Sequence, residues 1–134
     1  MIKKYKKIHC NAIKKRWNTL IPGGYSHFSG GLRNDIPPET IKKFLRRDST
    51  DMLKYTDPDF MCMQFMFVLM GKIVKKFKAC NVGLIVHRMP DWTYSHAEIV
   101  TYNSGNEYFY LVKPQLDKVI LYDFLKYERE YTIW

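Results

Sequence analysis

The sequence predicts an α+β fold in which a central apolar helix packs on a mainly antiparallel sheet, preceded by a basic amphipathic helix. Three observations predict it. Apolar residues recur at helical spacing from Ile2 to Leu20 with lysines between them, a run after Asp57-Pro58-Asp59 is apolar around its whole circumference, and strand signals crowd the stretch beyond Val82. At 134 residues the chain has the length of one domain, 1–134. It divides into a basic helix (1–21), a loop with a short helix (22–54) and a core (55–134). Hydrophobic residues make up 46% of it, enough apolar surface to offset the entropy of ordering.

The first helix carries Ile2, Tyr5, Ile13, Trp17 and Leu20 on one face and Lys3, Lys4, Lys6, Lys7, Lys14, Lys15 and Arg16 on the others. These seven bases meet no acid among residues 1–20, so most of the +9 charge is N-terminal; the remaining 15 bases face 13 acids. Such a segment attracts an anionic partner, nucleic acid or an acidic protein surface, through a field that salt screens. Solvated lysines on a peripheral helix give the same pattern.

Pro22-Gly23-Gly24 ends that helix, and residues 25–34, with Gly30-Gly31, read as a loop. Pro38 and Glu39 open a short helix over 38–47, with Ile41, Phe44 and Leu45 facing inward. The apolar run to about Lys78 is the core helix. Strands are expected at Val82 to Met89, Tyr94 to Tyr102, Glu107 to Val112 and Lys118 to Tyr122, with Asn103-Ser104-Gly105-Asn106 as a hairpin turn. Residues 127–134 read equally as a short helix or an edge segment.

Cys10, Cys62 and Cys80 are odd in number, widely spaced and free of any CxxC pattern, which points to a reducing, intracellular setting without a disulfide framework. The chain shows no stretch of the ~20 apolar residues that a membrane helix needs. His9, His27, His87 and His96 do not combine with the cysteines in zinc-ligand spacing, so neither a metal nor a cofactor is expected.

The candidate chemistry lies in Cys62 and His96. A cysteine in a helix's first turn has its thiolate favoured by unpaired N–H groups and the helix dipole. A strand-borne histidine in Ser95-His96-Ala97-Glu98 can take the thiol proton. On residue type alone, packing roles for both side chains account for the same facts.

Asp59-Phe60-Met61-Cys62-Met63-Gln64-Phe65, then Gly83-Leu84-Ile85-Val86, His96-Ala97-Glu98-Ile99 and Val112-Lys113-Pro114-Gln115, resemble a papain-like or transglutaminase-like cysteine-protease fold. The stretch looks more specifically like the calcium-dependent protease domain of a mushroom agglutinin and related phage proteins. That family's pattern is Asp-Cys-Asp-Asp-Phe, His-Ala and Glu-Pro-Gln. The resemblance implies Cys62 as nucleophile, His96 as base and, at the position of the orienting acid, Lys113. An ammonium there disfavours the imidazolium, leaving Gln115 as the substitute orienter. The acids that would hold calcium are replaced by Met61, Met63 and Gln64. The expectation is therefore a catalytically degenerate protease-fold protein that works by binding, as a phage accessory or virion component. The alternatives are an active Cys/His thiol hydrolase, peptidase or acyl transferase, and a basic nucleic-acid-binding module.

Overall fold

The computed structural model describes residues 4–20, 25–47, 62–88, 95–113, 118–123 and 128–134. Their elements, in chain order, are β1 (Lys7–His9), α1 (Cys10–Leu20), β2 (Tyr25–His27), β3 (Leu32–Asn34), α2 (Pro38–Arg47), α3 (Cys62–Phe77), β4 (Val82–Arg88), β5 (Ser95–Asn103), β6 (Tyr108–Lys113), β7 (Lys118–Leu121) and β8 (Glu128–Ile133).

The main sheet has six strands in the order β2-β8-β4-β5-β6-β7, and β1 and β3 form a separate two-stranded ribbon. β4 pairs antiparallel with both β5 and β8, and β5-β6-β7 continue as an antiparallel meander. β2 runs parallel to β8, which makes the sheet mixed. The side-chain period of two sends Val82, Leu84 and Val86 of β4 to one face and Ile85 to the other. On the first face they meet Ile41 and Leu45 of α2 and Phe65, Met66, Leu69, Ile73 and Phe77 of α3. On the second, Ile13 and Trp17 of α1 pack with Val100, Phe109, Leu111, Tyr122 and Trp134. Trp17 stacks on Tyr122, meets Phe109 edge-on at 4.8 Å between ring centroids, and donates its indole N–H to Ser26 Oγ at 3.1 Å.

The two faces are joined at Asn81, a fully buried residue just ahead of β4. Its Oδ1 accepts from the Ile36 amide at 3.0 Å, and its Nδ2 donates to the carbonyls of Ile36 at 3.1 Å and Tyr102 at 2.6 Å. One amide thereby ties the approach to α2, the start of β4 and the end of β5 together.

This architecture corrects the sequence expectation of a helix-centred protease fold. It is mostly sheet, with three short helices divided between the two faces. α3 is not enclosed on all sides: Phe65, Leu69 and Ile73 face the sheet while Phe67 is 59% and Val74 44% exposed. The basic helix expected over 2–20 starts only at Cys10, because Lys7–His9 pairs antiparallel with β3 and the His9 Nδ1 accepts the Asn11 amide at the helix entrance. Residues 25–34 hold two three-residue strands, too short to leave a periodic signal, and Gly31 adopts the positive φ of 112° that only glycine takes easily. β8 is an interior strand, neither a helix nor an edge. The helix-start sequence Asp57-Pro58-Asp59 and the Pro22-Gly23-Gly24 stop lie outside the described residues.

Candidate functional site

Cys62 is the first residue of α3, and His96 is the second residue of β5, where its Cα partner across the ladder is His87 of β4. α3 leads into β4 through residues 78–81, and β4 runs antiparallel to β5. A connection this short reverses the chain, so the first turn of α3 and the start of β5 occupy the same end of the fold. Backbone topology thus gathers Cys62, His87 and His96 toward one end. Gln115, the expected orienter, lies outside the described residues.

Next to this end, Lys113 closes β6 and forms an ion pair with Glu98 of β5. Glu98 is 3% exposed, whereas Lys113 keeps 23% of its side chain open to water. The sequence reading set the Lys113 ammonium against a His96 imidazolium and named no partner for it. The structure supplies one, because the buried Glu98 carboxylate answers the ammonium. Ala97 and Ile99 face the α2–α3 side, so Glu98 falls on the opposite side with Val100. Apolar-polar-apolar alternation reads as an outward acid, and only the packing of the second face buries it.

Cys10 and Cys80 are buried and free. Burial pushes the Cys80 thiol up to about 11, against the opposing pull of Arg33 and a backbone hydrogen bond at Val82. A thiol held that high carries almost no thiolate near neutrality. Among the described residues no cluster of three metal-ligating side chains occurs.

The basic residues named from the sequence are spread over several segments. Lys3 lies outside the described residues; Lys4 and Lys6 precede β1, Lys7 sits in it with Nζ on Asn34 Oδ1, and Lys14, Lys15 and Arg16 belong to α1. Arg16 is drawn toward the β5–β6 turn. Its Nε donates to the Glu107 carbonyl at 2.9 Å and its guanidinium stands 5.7 Å from the Tyr108 ring centroid. No helix of the described residues is long and apolar enough to cross a membrane.

No protein-family profile matches this sequence, and no curated protein matches it. Solved structures do. A structure of Polyporus squamosus lectin bound to the human-type influenza-binding epitope Neu5Aca2-6Galb1-4GlcNAc superposes with a TM-score of 0.74 at 17% identity, covering 96% of this chain and 49% of the lectin chain. A PSL1a-E64 complex superposes with a TM-score of 0.80, also at 17% identity, covering 96% of this chain and 51% of the other. The chain therefore spans about half the length of the structures it matches. These comparisons return the fold of about half of those two chains in place of the papain-like or transglutaminase-like protease expected from the Cys62, His96 and Lys113-Pro114-Gln115 motifs. The expected protease-fold pseudoenzyme, its thiol-hydrolase alternative and the nucleic-acid-binding alternative are corrected with it. Short motifs scattered between Asp59 and Gln115 had carried that assignment. What the superposition shows is a fold shared with one half of a lectin-type chain.

Proposed function

We propose that this chain is a carbohydrate-binding module built on the architecture of half a lectin chain. The observation that carries the reading is the superposition over 96% of its length on a lectin whose structure holds a sialylated glycan. The formal charge of +9 supports an acidic glycan, since a sialic acid carboxylate is drawn to a positive field. The buried free thiols of Cys10 and Cys80 support a reducing, intracellular setting. A glycan array probed with the full chain tests the proposal. Saturable binding of Neu5Aca2-6Galb1-4GlcNAc, stronger than of its asialo counterpart, is the expected result. Silence toward every glycan on the array would mean that the matched half is not the half that holds sugar.

A second reading concerns Cys62, His96 and Gln115, and it is favoured by the backbone placement of the first two at one end of the fold. We propose Cys62 as a reactive thiol that His96 assists and Gln115 orients. Its test is the pH dependence of iodoacetamide modification at each cysteine, followed by mass spectrometry in wild type and His96→Ala. Modification of Cys62 below pH 7, lost in His96→Ala, is expected; a Cys62 no faster than Cys10 and Cys80 removes the reading.

A further inference from the structure

On the side of α3 turned away from Phe65, Leu69 and Ile73, the side chains of Phe67, Met70 and Val74 follow one another at helical spacing. Together with Leu84 of β4, Ile133 of β8 and Trp134 they line a groove of about 360 Å³. That is the size of small-molecule sites, roughly 300–1,000 Å³. Phe67 and Ile133 at its margin are 59% and 46% exposed, so apolar area remains there for a ligand to cover.

The groove has one charged side chain among the described residues that line it, Arg33. Arg33 Nη1 donates to the Cys80 carbonyl at 3.2 Å and Nη2 to Ser29 Oγ at 2.8 Å. The bond to Cys80, just beyond the C-terminus of α3, puts the guanidinium at the end toward which Phe67, Met70 and Val74 run. Both acceptors are neutral, and no carboxylate among the described residues pairs with Arg33. A guanidinium has five donors in a planar fork suited to a carboxylate. The geometry is an apolar trough closed at one end by a cation without an anionic partner among the described residues.

We propose that this groove binds a monomeric medium-chain carboxylate amphiphile, with its aliphatic chain along Phe67, Met70 and Val74 and its head group on Arg33. The inference stands apart from the glycan reading, because the lining offers aliphatic and aromatic surface and few polar groups for sugar hydroxyls.

Calorimetry with decanoate below its micellar concentration, against decanol, tests it on wild type, Arg33→Gln, Arg33→Lys and Val74→Trp, each first shown to be folded by circular dichroism. Wild type is expected to take up one decanoate per chain and to prefer it over decanol by about ten-fold, the scale of a charge-assisted bidentate contact. Arg33→Gln should abolish the preference while keeping decanol binding, Arg33→Lys should retain part of it, and Val74→Trp should weaken both ligands by filling the groove. Four outcomes overturn the proposal. They are uptake of many decanoates per chain, equal affinity for decanol in wild type, binding only to anionic vesicles, and a dimer joined through this face that decanoate does not disturb.

Discussion

Lys113 of β6 and Glu98 of β5, each one residue beyond the Val112–Ile99 pair of the ladder, form an ion pair whose acid is almost wholly buried while its base still reaches water. The asymmetry decides what mutation does. Lys113→Met takes the ammonium away from a carboxylate in a low-dielectric site, with an expected loss of about 3 kcal/mol. Glu98→Gln leaves an ammonium that can turn to solvent, so its cost should be smaller, about 1–2 kcal/mol. The double variant should lose less than the sum of the two. Urea unfolding of the three variants checks the order, and equal costs for the two single changes would contradict it.

Gly83 offers a sharper steric test. A Cβ added there would lie 2.7 Å from Trp134 Cδ2 and 2.8 Å from the Ile133 carbonyl oxygen, so β4 and β8 cannot keep their spacing around it. Gly83→Ala is expected to cost about 1–3 kcal/mol, the usual penalty of overpacking. The contrast is Gly71, where an added Cβ meets nothing within 4 Å. Gly71→Ala should be neutral or stabilising by up to ~1 kcal/mol, because alanine favours the helix. Thermal unfolding of the pair reads both effects.

Asn81 joins three segments through one side chain. Asn81→Leu would strand the Ile36 amide and the carbonyls of Ile36 and Tyr102, and a loss of about 3 kcal/mol or more is expected. Hydrogen exchange gives a local readout. The Ile36 amide should exchange much faster in the variant, and unchanged protection there would show that the bond to Asn81 does not hold this junction.

Alkaline pH acts through Cys80. Burial holds the folded thiol at about 11, above its ordinary 9.0, so the unfolded chain releases the proton first as pH rises. The stability tied to this thiol is complete below pH 9 and falls between pH 9 and about 11, with a slope approaching ~1.4 kcal/mol per pH unit. Tyr102, raised chiefly by burial and then by Glu107, adds a loss of the same sign at higher pH. Cys80→Ala should flatten the first part of the curve, and chemical denaturation from pH 8 to 11 measures it.

Much of the element pattern was legible in the residues. Pro38 and Glu39 announced α2 at its observed start, and the four strand signals after Val82 coincide with β4 to β7 to within two residues at each end. The rest was hidden for physical reasons. Tyr25–His27 and Leu32–Asn34 are strands only because partners far along the chain pair with them, and three residues carry no periodicity. Phe67 and Met70 made α3 look enclosed, although an apolar outer stripe and a buried helix share one sequence signature. At the candidate site, the types and positions of Cys62 and His96 were visible, but the partner of Lys113 depended on the β5–β6 register. No single segment encodes that register.

The parallel contact of β2 with β8 has a kinetic consequence. β8 stands between β2 and β4, so residues 25–27 have no strand to join until residues 131–133 have docked on β4. The meander β4 to β7 can form from neighbours in sequence, whereas closing the other side of the sheet spans more than a hundred residues and carries the entropic delay of distant pairing. Contact order therefore favours one sequence of assembly, with the meander first, β8 added to it and the segment containing Ser26 last. In that sequence the Trp17 indole meets the Ser26 oxygen only at the final step.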